Sequence, residues 1–152
     1  MTVHMQKTLF RGKRKDNGEW IEGDLIRHYE NQRRFIAYDQ LACTYTECGI
    51  SRLTTERFCE VDPETVGQYT GLTDKNGTKI FEGDIVCDRY ANCYTPIFVN
   101  GIYMAYNVDY PRMPGEEPST QFNVVWQDVC IVIGNIHDVP HIPHIPQKED
   151  KK

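Results

Sequence analysis

The chain has 152 residues, 39% of them apolar and 26% charged, with a formal net charge of −5. That length suits one full core, or two small β modules sharing one, and the composition excludes a wholly disordered chain. The negative balance argues against a general grip on nucleic acid, because each neutralised phosphate needs a local cation.

Taken in chain order, the first fifteen residues carry Lys7, Arg11, Lys13, Arg14 and Lys15 and no acid. Solvated charges that keep an edge strand from aggregating are the plainer reading. A basic edge for nucleic acid, joined by Arg33 and Arg34, is the alternative. No long apolar stretch opens the chain, so no secretory leader is expected. The longest apolar run, Val129–Ile133, is far too short to span a bilayer, and a soluble cytoplasmic protein is the expectation.

Asn-Gly between apolar stretches is the strongest local signal for a tight type I′ hairpin, since both central residues need positive φ. Asn17-Gly18 is expected to join Thr8–Arg14 to Glu19–Arg27. Asn76-Gly77 turns the chain into Lys79–Phe81, and Asn100-Gly101 joins Pro96–Val99 to Ile102–Tyr106. Arg34–Asp39 and Thr55–Val61 add short strands. Asp62-Pro63-Glu64 reads as a turn or a very short helix, with Asp as cap and Pro in the first helical position. Val66–Leu72 reads as extended. Asp109–Thr120, rich in Pro, Gly and Glu, is expected to be a flexible loop. Gln121–Trp126 and Val129–Ile133 return as strands, the latter apolar throughout as if buried on both faces. The repeated His-Ile-Pro of residues 140–146 suggests an extended arm with a frayed charged end. No stretch offers twelve residues of helical period. The fold class is therefore mainly β, antiparallel, with short strands.

One phrase occurs twice, as Asn17-Gly18-Glu19-Trp20-Ile21-Glu22-Gly23-Asp24-Leu25-Ile26 and as Asn76-Gly77-Thr78-Lys79-Ile80-Phe81-Glu82-Gly83-Asp84-Ile85-Val86. The second copy is one residue longer before Glu-Gly-Asp, which a β-bulge would absorb. Two similar hairpin units are expected near residues 8–27 and 72–87. In them Gly18, Gly23, Gly77 and Gly83 supply positive-φ or sharp entries, while Asp24 and Asp84 accept backbone N–H groups. Such Gly-Asp steps recur at the diverging turn of SH3-like barrels.

Phe10-Arg11-Gly12-Lys13-Arg14 and Gly18–Leu25 resemble the opening of the YopX proteins of bacteriophages and prophages. The resemblance continues through Val61–Leu72, Asp74–Gly77, Ile80–Val86 and Val132–His137, about half the chain; residues 29–54 and 88–126 carry no family phrase. It implies a β-rich domain over residues 1–139 with SH3-like elements and an insert at 88–126, followed by a tail at 140–152. It also implies a phage or prophage context and self-association, and it supplies no reaction.

Candidate chemistry is sparse. Asp24 and Asp84 could be imagined as an acid–base pair, but a shared backbone role explains both. His137, His141 and His144 would share a helix face, were it not for Pro140, Pro143 and Pro146. Cys43, Cys48, Cys59 and His28 could build a zinc site, though their spacing fits no common finger. No Cys-x-x-Cys pair occurs, and the thiols are expected to stay free, with Cys59, Cys87 and Cys130 as small strand hydrophobes. Gly-x-Ser-x-Gly and phosphate-loop motifs are absent. Aromatics crowd the third Asn-Gly turn, and Tyr94, Phe98, Tyr103 and Tyr106 either fill the core or form a protein interface. The resulting expectation is a non-enzymatic binding or assembly module without cofactor, homo-oligomeric; nucleic-acid binding and a Cys/His metal site are the alternatives.

Overall fold

The computed structural model describes residues 8–38, 57–108 and 120–138 in full, and residues 42–46 and 49–54 by their backbone. The expected loop at 109–120, all but its last residue, and the 140–152 tail lie outside the described residues, as does Lys7. The chain divides into two compact units, Met1–Gln68 and Tyr69–Lys152. Strands dominate, and two short 3-10 turns are the only helical pieces among the described residues. None of these helical pieces is long and apolar enough to cross a membrane, and no described sheet closes on itself.

In the first unit, β1 (Phe10–Lys13), β2 (Trp20–Arg27), β3 (Arg34–Ala37) and β6 (Phe58–Val61) form an antiparallel sheet in the order β6-β3-β2-β1. A separate hairpin, β4 (Ala42–Thr46) with β5 (Gly49–Thr54), lies between β3 and β6 in sequence. Ile36 and Val61 are wholly buried, and Leu9 and Ala37 nearly so. After β6 the chain turns through a 3-10 helix, Pro63–Thr65, capped as its sequence demands: Asp62 Oδ1 accepts the Glu64 N–H at 3.1 Å. Thr65 Oγ1 accepts the Lys13 N–H at 2.9 Å, tying this turn to β1.

The strand β7 (Gly67–Thr73) leads into the second unit, which continues with β8 (Lys79–Phe81), β9 (Asp84–Asp88), β10 (Cys93–Val99), β11 (Ile102–Asn107), β12 (Thr120–Gln121) and β13 (Cys130–Asn135). The last five strands that pair here run β12-β11-β10-β9-β13, all antiparallel. Ile80, Val86, Ala105, Phe122 and Cys130 form the buried cluster, and Leu72, Tyr94, Tyr103, Trp126 and Val132 pack against it. Each fully buried large apolar side chain here removes enough area from water to contribute about 1.5–3 kcal/mol.

The three Asn-Gly turns differ in length. Arg14 N–H bonds to Glu19 O, enclosing Lys15–Gly18, and only Gly18 has positive φ (73°). Asp74 N–H bonds to Thr78 O around Lys75–Gly77, again with only the glycine (φ 83°) in that region. Asn100-Gly101 alone is the two-residue turn expected for all three, with φ of 50° and 88° and Val99 opposite Ile102. The repeated phrase also diverges. Glu22-Gly23-Asp24 lies inside β2, whereas Glu82-Gly83 is the turn between β8 and β9. The expected pair of like hairpin units is thereby corrected, because the register of β2 against β3 keeps the first copy extended. Gly83 has a φ of 88°, but Gly23 does not share it. Gly23 is required instead by close approach: a Cβ there would collide with the carbonyl oxygen of Ala37. The bulge falls in β7, where Tyr69 faces Phe81 but Thr73 faces Lys79. Thr70 Oγ1 bridges it, donating to Ile80 O at 2.7 Å and accepting the Leu72 N–H at 3.2 Å.

Two expected strands are also corrected. Gln121–Trp126 is not one strand: after β12, Phe122 turns into the core and Asn123 caps a 3-10 turn, Val124–Asp128, accepting the Val125 N–H at 3.1 Å. The Val129–Ile133 run is not buried on both faces. β13 borders the sheet, and a register shift between Val132 and Gly134 turns Ile133 outward, 41% exposed.

The glycine roles make a measurable contrast. Gly23→Ala should cost about 3 kcal/mol or more, since backbone must move, while Gly18→Ala, with open space but positive φ, should cost about 1 kcal/mol. Urea unfolding of both variants checks this; equal losses would show that the two positions are not distinguished by crowding.

Candidate functional site

Most polar side chains that draw the eye are engaged in holding turns. Asp74, 4% exposed, accepts the Asn76 and Thr78 N–H groups on Oδ1 at 2.8 and 2.9 Å. Its Oδ2 accepts the Val132 N–H at 2.9 Å, and the adjacent Lys75 N–H donates to Cys130 O at 3.2 Å, so the turn is fastened along β13. Burial pushes the Asp74 carboxyl up, but the three N–H donors and the Lys75 charge outweigh it and hold it below the ordinary carboxylate range. Asp84, 1% exposed, accepts the Phe81 N–H on Oδ2 at 2.8 Å and Asn135 Nδ2 on Oδ1 at 3.1 Å. Asp24 is exposed in mid-strand opposite Ala37. The two aspartates of the repeated phrase thus occupy unlike environments, and both Asp84 oxygens are committed to structure.

The candidate interface is the β10–β11 hairpin. Directly opposed residues share a face, so Tyr94, Pro96, Phe98, Tyr103 and Ala105 lie on one side, while Tyr106, Thr95 and Ile102 lie on the other. The expected aromatic set is therefore split. Tyr94 packs edge-on against Trp126 (4.9 Å between centroids) at the core margin. Phe98 and Tyr103 extend that face to the hairpin end, with centroids 5.0 Å apart. Phe98 is 50% exposed and Ile102, on the opposite face, 44%. Glu82, absent from the sequence-based interface set, sits behind Phe98 and accepts its N–H on Oε2 at 3.0 Å. Burial raises the Glu82 carboxyl, partly offset by that hydrogen bond. Burial, assisted by the Glu82 charge, pushes the Tyr103 phenol up to about 12, and its hydroxyl has no hydrogen-bond partner among the described residues.

The basic N-terminal segment is partly engaged by carboxylates and by an aromatic ring. Arg11 lies over the Trp20 ring at 4.6 Å, with Lys13 at 5.7 Å from the same ring. Arg14 forks onto Asp16, with contacts of 2.6 and 2.9 Å. Lys15 (3.2 Å) and Arg33 (2.7 Å) converge on Glu60, and the hydrogen bond from Arg33, seconded by Lys15, lowers its carboxyl to about 2. Arg34 caps Gln32 and Arg33 carbonyls.

The cysteines bring a correction. Cys87 and Cys93 are joined in a disulfide between β9 and β10, where their strands place them directly opposite; they are not free thiols. Cys59 and Cys130 are free. Burial raises both thiols, Cys130 to about 11 with help from the Asp74 charge, which leaves them poor nucleophiles. Among the described residues no three His, Cys, Asp or Glu side chains gather as metal ligands would. Cys48, His141 and His144 lie outside the described residues, as does the side chain of Cys43.

These features define an antiparallel β protein of two units, the second with turns fixed by the buried carboxylates Asp74 and Asp84. The chain belongs to the YopX family: the family model, described as YopX protein, matches residues 9–142. The match runs through residues 29–54 and 88–126, where no family phrase is legible. A crystal structure of protein EF1440 from Enterococcus faecalis is similar over 90% of this chain and 98% of that one, with a TM-score of 0.53 and 24% identity. That likeness bears on the fold. No curated protein matches the sequence. Family phrases far apart in sequence meet in the second unit: Asp84 with Asn135, and Gly83, whose carbonyl accepts the Ile136 N–H at 2.9 Å.

Replacing Asp74 by Ala strands three backbone donors and should cost about 3–5 kcal/mol; a loss under about 1 kcal/mol in urea unfolding would mean that water takes the carboxylate's place. Glu60 gives a pH test. Its folded value lies below the unfolded one, so its contribution is full above the ordinary carboxylate range and fades as pH falls toward about 2. The Tm difference between the parent and Glu60→Gln should therefore be largest near pH 7 and shrink steadily below pH 4.5, as thermal melts across that range would register.

Proposed function

We propose that this chain is a non-enzymatic phage or prophage accessory protein, a binding and assembly module that self-associates through the β10–β11 hairpin; a cytoplasmic location, the other part of this reading, requires the Cys87–Cys93 disulfide to persist against a reducing pool. The observation that carries the reading is the hairpin end, where a two-residue turn holds Phe98 and Ile102 half-exposed on opposite faces. A turn with both central residues in the left-handed region is stiff, so apolar area is displayed at small entropic cost. Aromatic anchors of this kind are enriched at protein interfaces. The bent β8–β9 corner at Gly83 is read within the same proposal as an SH3-like element.

A second reading, nucleic-acid binding, is favoured by Arg11 and Lys13 flanking Trp20, which joins cations to a stacking surface. Against it, Arg14, Lys15 and Arg33 are engaged by Asp16 and Glu60.

Light scattering at micromolar concentration should give a mass well above the 17.7 kDa of one chain. Phe98→Ser combined with Ile102→Ser should return it toward that value without unfolding. A monomeric parent chain would refute self-association, and binding that weakens steeply with salt would favour the second reading.

A further inference from the structure

We infer that the second unit carries a small-molecule site for a mononucleotide, distinct from the hairpin interface. A concavity of about 400 Å³ is lined by Lys75, Asp88, Arg89, Tyr90, Asp128 and Val129, a size within the range of ligand pockets. Its residues come from three segments: the β7–β8 turn, the β9–β10 loop, and the chain entering β13.

The backbone of every wall is pinned. Lys75 is held to β13 through its N–H, with Asp74 behind it. The β9–β10 loop is organised by Asp88, whose Oδ1 accepts the Tyr90 and Asn92 N–H groups at 2.8 and 3.0 Å and whose Oδ2 accepts Asn92 Nδ2 at 3.1 Å. The Cys87–Cys93 disulfide closes the same loop, and the Val129 N–H donates to Trp126 O. Such walls are set before a ligand arrives, which lowers the entropic cost of binding.

The side chains displayed from these walls combine cations, an aromatic ring, an apolar group and a carboxylate. Neither Lys75 nor Arg89 makes an ion pair among the described residues. Tyr90 is 70% exposed, with the Arg89 guanidinium 4.8 Å from its ring centroid. Val129 is 47% exposed. Asp88 stays ionised but its oxygens are taken by its own loop, so the lining sets two cations against two carboxylates, of which Asp128 is the one open to a ligand. Two cations suit a phosphate, an aromatic ring beside an apolar side chain suits a planar base, and a carboxylate accepts from a base N–H or a ribose hydroxyl. A plain anion would have no use for Tyr90, Val129 and Asp128, and an apolar ligand none for the two cations.

Calorimetric titration of the full-length protein with AMP, GMP, CMP, UMP and inorganic phosphate, at low salt, tests this. At least one nucleotide should bind more tightly than phosphate. Lys75→Ala and Arg89→Ala should each weaken it about tenfold, and Tyr90→Ala should weaken the nucleotide while leaving phosphate unchanged. Thermal melts of each variant should match the parent, since these side chains are not what holds the fold. The inference is overturned if no nucleotide binds at millimolar concentration, if phosphate binds as tightly as every nucleotide, or if Arg89→Ala and Tyr90→Ala bind like the parent. None of these results depends on the oligomeric state.

Discussion

The second unit rests on carboxylates that stand in for backbone carbonyls. A β protein with many short strands has many turns, and each turn leaves N–H groups that no neighbouring strand can take. Asp74, Asp84 and Asp88 supply the missing acceptors, at two or three donors each. Buried carboxylates are expensive unless saturated in this way. Once saturated, they fix direction as well as energy, because each oxygen accepts only from donors at one place. Asp74 and Asp84 also reach across the sequence, to Val132 and Asn135, so that turns made locally become anchors for the last strand. In the first unit the same task falls to Asp62 and Thr65, beside the 3-10 turn.

What could be read from the sequence was whatever chemistry is local. The Asp62-Pro63 cap depends on four adjacent residues, and it forms as read. Asn-Gly marked three of the turns but not their length, because length is set by the register of the flanking strands. The Glu-Gly-Asp repeat misled for the same reason: identical tripeptides become mid-strand or turn according to what lies opposite, and Gly23 owes its identity to Ala37, fourteen positions away and on another strand. The Cys87–Cys93 bond likewise needs the β9–β10 register before it becomes visible.

The candidate site was legible in composition more than in arrangement. Aromatic crowding around Asn100-Gly101 was apparent, yet Tyr103 and Tyr106 differ by an odd number and so had to fall on opposite faces of β11. That parity was available in the sequence and would have separated them. Glu82 was hidden inside a motif assigned to turn geometry. The Lys75, Arg89, Tyr90 and Asp128 concavity joins three segments that no spacing rule connects, and only the folded chain assembles it.

The way the Asp74–Lys75 turn lies along β13 limits how this sheet can grow. The Val132 N–H and Cys130 carbonyl are the kind of outward groups that would recruit a further strand, and both are already occupied, by Asp74 Oδ2 and the Lys75 N–H. The twist introduced beside Ile133 makes the remaining border a poor template. Sheet extension from copy to copy, the route to fibres, is thus blocked at the β13 border. Closed assemblies built on side-chain contact are compatible with such a molecule in a way that open-ended strand addition is not.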